Sequence, residues 1–528
     1  MRIRRAKIHR RRGGGGSTPP TEPVHAFGFE ASFNARSLVY SDDGTIFFPL
    51  MDTSWLMVKR HPSQAALELY CETRAAQGFD AIALISLGFS IEPTTIGGHT
   101  PFTQTDWVGD VAGDYDEDYW ELHDNCVEAI NDNGMYAFIA PTWIEWMINQ
   151  PWAWFYPDTN FVGQAGNIAG ADSDEEKAIR RAYNLGKFLG QRYALRANKI
   201  VWLLGGDMSN NFDVADLAFE KLLWTAFHDG IIDGITAGGG VAADARFTFH
   251  PGFPDMDSWT SFLDQTYLTF HAVQSAHAHY DYQGVITDAE AGQAIGTQWM
   301  QIETRYLNHP VTFIPPGETP PGADGSFRAY DIRWMAYTSA FKQSCGIGFG
   351  AHACWQWNIT GSGLPTYTTP ESDWDVELVS EGSDHLKYLK HLIETAGLDT
   401  LNGVAFNGLI TANRSDGQWH EKSVYASGTS NLTWAMAYFP ASGDSNFVNA
   451  GELFATFDLT QFQPGDESPA FDVQLWWYNP RTGAATNGGI LTRTSTVITK
   501  PGDHTRGDDW VAILHSVAEG FPNPSYPF

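Results

Sequence analysis

Between residues 47 and 358 the chain alternates short, nearly uncharged apolar runs with stretches whose apolar residues return every three or four positions. The runs are FFPLMDTSW, AIALISL, YAFIAPTW, KIVWLLGGD, RFTFHPG, TYLTFHAVQS, PVTFIPPGE and GIGFGAHACWQWN. Short apolar runs bounded by turn signals predict strands buried on both faces, and the three-to-four spacing predicts helices between them. In SQAALELYCETRAAQGF, Ala66, Leu69, Tyr70 and Thr73 share one helical face; Ser63 suits the N-cap and Gly78 the stop. Eight such strands alternating with helices predict a parallel α/β structure, and eight closes a (β/α)₈ TIM barrel. An open doubly wound sheet is the alternative, but no GxGxxG follows the first strand.

After HLKYLKHLIET the texture changes. SVYASG, LTWAMAYFP, LFATFDL, FDVQLWWYNP and DWVAILHSV alternate apolar and polar residues between turn signals such as NPRTG, which predicts a small antiparallel β-sandwich. Trp476 and Trp477 are neighbours, so in a strand they face opposite sides. The expected organisation is an arm at 1–24, a barrel at 25–398 and a sandwich at 399–528.

Charge sharpens this division. The chain carries a net −30, yet MRIRRAKIHRRR holds seven of its 32 Lys and Arg and no acid. Such an acidic body excludes nucleic acid as the main partner, because a phosphate backbone needs basic surface. The basic arm runs into GGGGSTPPTEP, a flexible then stiffer linker. No apolar core follows the basic residues as in a secretory leader, and no stretch is long and apolar enough for a membrane span. Cys71, Cys126, Cys345 and Cys354 lack metal-type spacing and are expected as buried free thiols.

Candidate chemistry sits at the strand ends. Most runs finish in polar or aromatic residues, which in a barrel converge on one rim where active sites form. Asp207, behind Gly205 and Gly206, is the lone carboxylate closing KIVWLLGGD. It either caps the next helix or supplies one of the two carboxylates that cleave a glycosidic bond. Neither HEXXH nor GxSxG in a strand-to-helix context is present, so metal-hydrolase and serine-hydrolase chemistry lack their motifs, and no cofactor is expected.

The ordered set ARSLVYSDDGTIFFPLMDTSW, YCETRAAQGFDAI, NGMYAFIAPTW, RYALRANKIVWLLGGD, FHPG, QSAH, DIRWMAYTSAF, GFGAHACWQW, WWYNPRTG and DDWVAIL resembles the apiosidase-like glycoside hydrolases. These are (β/α)₈ barrels followed by a β-sandwich named for collagen binding; nothing in the residues here supports collagen as a ligand. The resemblance implies that Asp207 is a catalytic carboxylate, most simply the general acid/base. It also implies that Asp52, Trp143, His250, Gln274, His277, His352, Trp355 and Gln356 contact substrate or support the rim. Release of apiose is the activity it suggests first, from a polysaccharide or other complex glycan.

The family's seventh strand reads like KPvlngEPrYE, with the nucleophile at the first Glu. Set against HPVTFIPPGETPPG from Pro310, that Glu falls on Pro315, and Glu318 is the nearest acid. Glu318 is therefore expected to pair with Asp207, with Glu145 a weaker substitute. The alternative is a barrel that binds glycan without cleaving it. A glycan-acting body with a basic arm suggests a phage-associated protein held to the virion through that arm; a cytoplasmic glycosidase is the alternative setting.

Overall fold

The computed structural model describes residues 25–31, 37–88, 94–103, 109, 112–143, 174–207, 214–252, 257–262, 264–275, 296–312, 325–396, 404–405, 409–412, 423–429, 432–442, 454–462, 472–503, 505–517 and 522–526. The basic arm, Glu145, His277, Pro315 and Glu318 lie outside them.

Eight strands form the barrel wall: β1 Leu50–Thr53, β2 Ala81–Ile85, β3 Tyr136–Ala140, β4 Ile200–Gly205, β5 Arg246–His250, β6 His271–Gln274, β7 Trp299–Glu303 and β8 Ile347–Ala351. Parallel ladders join β1 through β5 in sequence, β6 to β7, β7 to β8, and β8 back to β1. The ring closes between β5 and β6 by single bonds rather than a ladder. Thr269 N–H donates to the Phe247 carbonyl at 2.7 Å, and the Thr248 hydroxyl donates to the Phe270 carbonyl at 2.9 Å. Nearly every wall residue is buried, as continuous apolar strands covered on both faces require.

Seven of the eight expected runs supply a wall strand; for the run PVTFIPPGE only residues 310–312 are described, and they lie outside the wall. The seventh strand is Trp299–Glu303, and past it Pro310 makes only an isolated bridge to Ser326. Proline has no N–H to donate, so a run holding Pro310, Pro315 and Pro316 cannot serve a central ladder. The true strand is disguised by Gln301 and Glu303. Gln301 is buried, and its amide donates to the Ser275 hydroxyl.

Helix Gln64–Ala76 starts where its cap predicts, with Ala66 N–H donating to Ser63 Oγ at 3.2 Å, and Gly78 follows it at φ +84°. Helices Asp174–Arg192 and Val214–Ala237 flank β4 and touch backbone to backbone. A Cβ at Gly190 would stand 2.2 Å from the Ile231 carbonyl oxygen, so this crossing depends on glycine. All four cysteines are buried and free. Among the described residues no helix is long and apolar enough to cross a membrane.

The C-terminal part packs two antiparallel sheets. One runs Val404–Ala405, Tyr425–Gly428, Trp434–Phe439, Trp510–Ser516, Val473–Tyr478, Ala485–Leu491; the other is Ile410–Ala412, Phe454–Asp458, Ser495–Thr499. Trp477 is buried against Phe439 between the sheets, whereas Trp476 faces the other way and its indole N–H meets His515 at 3.2 Å. The sandwich is anchored to the barrel by Arg333, on helix Ala329–Phe341. Its guanidinium meets Asp509 at 3.0 and 2.5 Å, both groups are buried, and Tyr438 also donates to Asp509 at 2.9 Å. Tyr337 stacks on Tyr438 across the same boundary, with ring centroids 5.1 Å apart.

Candidate active site

The tip of β4 is pressed onto the tip of β5. Gly205 and Gly206 have φ of +95° and +146°, and a Cβ on Gly205 would lie 2.1 Å from the His250 carbonyl oxygen. Gly206 N–H donates to that same oxygen at 2.9 Å. Only glycine tolerates both the conformation and the approach, and the result carries Asp207 beside His250. The Gln274 side-chain amide, from the end of β6, donates to Asp207 Oδ1 at 3.3 Å and to the Pro251 carbonyl at 3.0 Å.

The second carboxylate arrives from β7. Its ladder with β6 pairs Gln301 with Val273 and then Glu303 with Gln274, so one extra residue is inserted between the two pairs. Such a bulge bends the strand and redirects the next side chain. Glu303 is 2% exposed, with Oε2 3.1 Å from His250 Nε2 and Oε1 accepting from the Tyr306 hydroxyl. The Tyr306 oxygen in turn accepts from the Trp55 indole N–H at 2.7 Å. One oxygen of Asp207, a ring nitrogen of His250 and one oxygen of Glu303 all lie within 4.8 Å of one another.

The charges are arranged to coexist. Burial opposes a charged His250, but the hydrogen bond and charge of Glu303, with the charge of Asp207, outweigh it and raise its pKa. The ring thus sits between two acids that both favour its charged form. Because the folded value lies above the unfolded one of about 6.5, this stabilisation is complete below that pH. It is lost as pH rises through the folded value. Burial first, then Glu303, pushes the Tyr306 phenol well above its ordinary pKa, so it remains a proton donor to the carboxylate. The same three groups have the donor types for a divalent cation.

The remaining expected residues divide. Gln274 and His250 are in the site. Trp143 is buried, its ring 4.8 Å from His250 and 5.0 Å from Trp55, and it walls the site instead of presenting an open face. Trp355 lies further along the rim between Tyr306 at 6.4 Å and Tyr367 at 5.4 Å, and Tyr367 is 38% exposed. His352 and Gln356 are buried in support of that segment. His352 contacts the Thr368 hydroxyl and the Asn308 carbonyl, and the Gln356 amide donates to the His352 carbonyl at 3.1 Å.

Asp52 is fully buried behind β1, where Arg74 Nε approaches it at 3.0 Å and the Tyr70 hydroxyl donates to it. It joins strand to helix and does not face the mouth. Arg74→Met would strand this carboxylate, costing about 3–5 kcal/mol of stability. Thermal melting should show that loss, while activity per folded molecule at low temperature stays within about twofold.

Reading the sequence misses Glu303, Tyr306 and Trp55. A signal was available: Glu303-Thr304-Arg305-Tyr306 keeps the Glu, Arg and Tyr of EPrY, twelve residues before the place where counting from Pro310 puts the motif. The seventh strand therefore ends in a glutamate, and Pro315 belongs to a segment beyond it.

Residues 32–399 match the family model "Apiosidase-like, catalytic domain", and residues 467–515 match "Putative collagen-binding domain of a collagenase". None of the curated proteins compared with the chain matches it. Among solved structures, a glycoside hydrolase family 5 protein from Bacteroides vulgatus superposes with a TM-score of 0.72 at 20% identity, covering 95% of this chain and 96% of that one. A second, described as a glycoside hydrolase, gives 0.70 at 20% identity, covering 92% and 96%. These two likenesses establish a shared fold, and the family match spans well over half of the sequence. The chain belongs to the apiosidase-like family of glycoside hydrolases.

Proposed function

We propose that the protein is a retaining glycoside hydrolase in which Glu303 is the nucleophile and Asp207 the general acid/base. The observation that carries this reading is that one oxygen of Asp207 and one oxygen of Glu303 lie within 4.8 Å of each other, beside the same His250 ring. Retaining enzymes hold their carboxyls about 5–5.5 Å apart, whereas inverting ones leave about 6.5–9.5 Å for a water. Glu303 attacks the anomeric carbon as Asp207 protonates the departing oxygen. Asp207 then takes a proton from water, which attacks the same carbon, breaks the glycosyl–Glu303 ester and restores the original configuration. His250 and Tyr306 hold one carboxylate oxygen of Glu303 each, so it meets the sugar in a fixed orientation.

The substrate class is a polysaccharide or complex glycan, with a terminal apiosyl residue the first sugar to try. The partly exposed Tyr367 ring beside Trp355 supports an extended ligand, since aromatic faces pack against the apolar side of sugar rings. The test is a screen of pectic, capsular and exopolysaccharide substrates, followed by proton NMR of the first product anomer. Retention is expected. Initial release of the inverted anomer would overturn the mechanism, and binding without any product would favour a glycan-binding role.

A further inference from the structure

The DTSW motif at the end of β1 does work that its neighbours do not explain. Asp52 serves Arg74 and Tyr70, and Ser54 Oγ accepts from the Trp357 indole at 2.8 Å, both within the scaffold. Trp55 instead reaches the reacting carboxylate through one intermediary. We propose that Trp55 is a positioning residue for the reaction: its indole N–H fixes the Tyr306 phenol so that the phenol's single proton points at Glu303.

The direction follows from donor inventory. An indole N–H can only donate, whereas a phenol offers one proton and accepting lone pairs. At 2.7 Å from Trp55 Nε1 the Tyr306 oxygen must therefore accept, and because a carboxylate can only accept, the phenol proton lies on the contact with Glu303 Oε1, with the Thr53 hydroxyl a further partner of the phenol. All three groups are buried, so water does not compete for that proton. Trp55 is itself held from several sides. Its carbonyl accepts from Ile85 N–H at 3.3 Å, the next residue's N–H donates to the Trp355 carbonyl at 3.1 Å, and its ring packs on Trp143. The turn after β1 is thereby tied to β2 and to the segment that follows β8, and its geometry is passed to Tyr306, which pairs with β8 beside it.

This proposal rests on Glu303 as the nucleophile, but the hydrogen-bond chain does not. Trp55→Phe keeps an aromatic ring and removes the N–H. It should lower kcat roughly tenfold with little change in KM, the scale of one charge-directed hydrogen bond. The acid limb of kcat/KM should move up by about half a pH unit, because the carboxylate loses a fixed donor. In a Tyr306→Phe background the same change should cost less than about twofold, since the intermediary is already gone. A wild-type rate and pH profile in Trp55→Phe would overturn the proposal. So would losses that multiply in the double variant, as a pure packing role predicts. Should Trp55→Phe fail to fold, the indole ¹⁵N–¹H resonance of Trp55 supplies the reading: Tyr306→Phe must shift it upfield, and an unmoved resonance overturns the contact. Full activity in Glu303→Gln would remove the nucleophile assignment alone, with the indole shift still testing the chain.

Discussion

Glu303→Gln is expected to reduce turnover at least about 10⁴-fold while leaving the fold intact, the scale seen when a covalent nucleophile is removed. Glutamine keeps the shape, and its carbonyl can still accept from Tyr306, but its neutral oxygen does not form a glycosyl ester. Melting temperature separates this loss from misfolding. Glu303→Ala makes a stronger test, because it opens space at the anomeric carbon. Added azide should then restore part of the rate and release a glycosyl azide of inverted configuration, one displacement having replaced two. A Glu303→Gln variant with near-normal turnover would end the assignment.

Asp207→Asn should fail differently. General acid catalysis contributes typically 10²–10⁴-fold, and its weight depends on how poorly the departing oxygen carries negative charge. With natural glycans the variant should lose about 10³-fold. With a nitrophenyl glycoside, whose phenolate leaves unaided, glycosylation should fall by less than about tenfold, and the covalent intermediate should accumulate because no base activates water. Azide, which needs no such base, should discharge it as the retained glycosyl azide. The opposite azide products of the two carboxylate variants separate nucleophile from acid without recourse to any pH profile. Equal losses on both substrates would instead point to a positional role for Asp207.

Much of the architecture was legible because burial writes itself into sequence. Runs such as AIALISL and KIVWLLGG have no solvated face, and Ser63 and Gly78 mark a helix at both ends. Asp207 could be found because two glycines that only a close approach requires stand immediately before it. Glu303 could not be found by hydrophobicity, since its strand carries buried polar residues whose partners come from elsewhere in the chain. Gln301 looks like a surface residue until Ser275 is placed beside it. Asp52 was misplaced for the converse reason. A carboxylate at a strand end suggests a site, and only the helix packing reveals that Arg74 meets it from behind.

The boundary between barrel and sandwich bears on how this protein can be handled. Arg333 belongs to the catalytic part of the sequence, yet its carboxylate partner is Asp509, close to the C-terminus. Ending an expression clone after the last barrel helix would leave the buried Arg333 guanidinium without its carboxylate and uncover the ring of Tyr337. The two parts are thus one unit of production, and an isolated catalytic fragment that proved insoluble would say nothing about its chemistry.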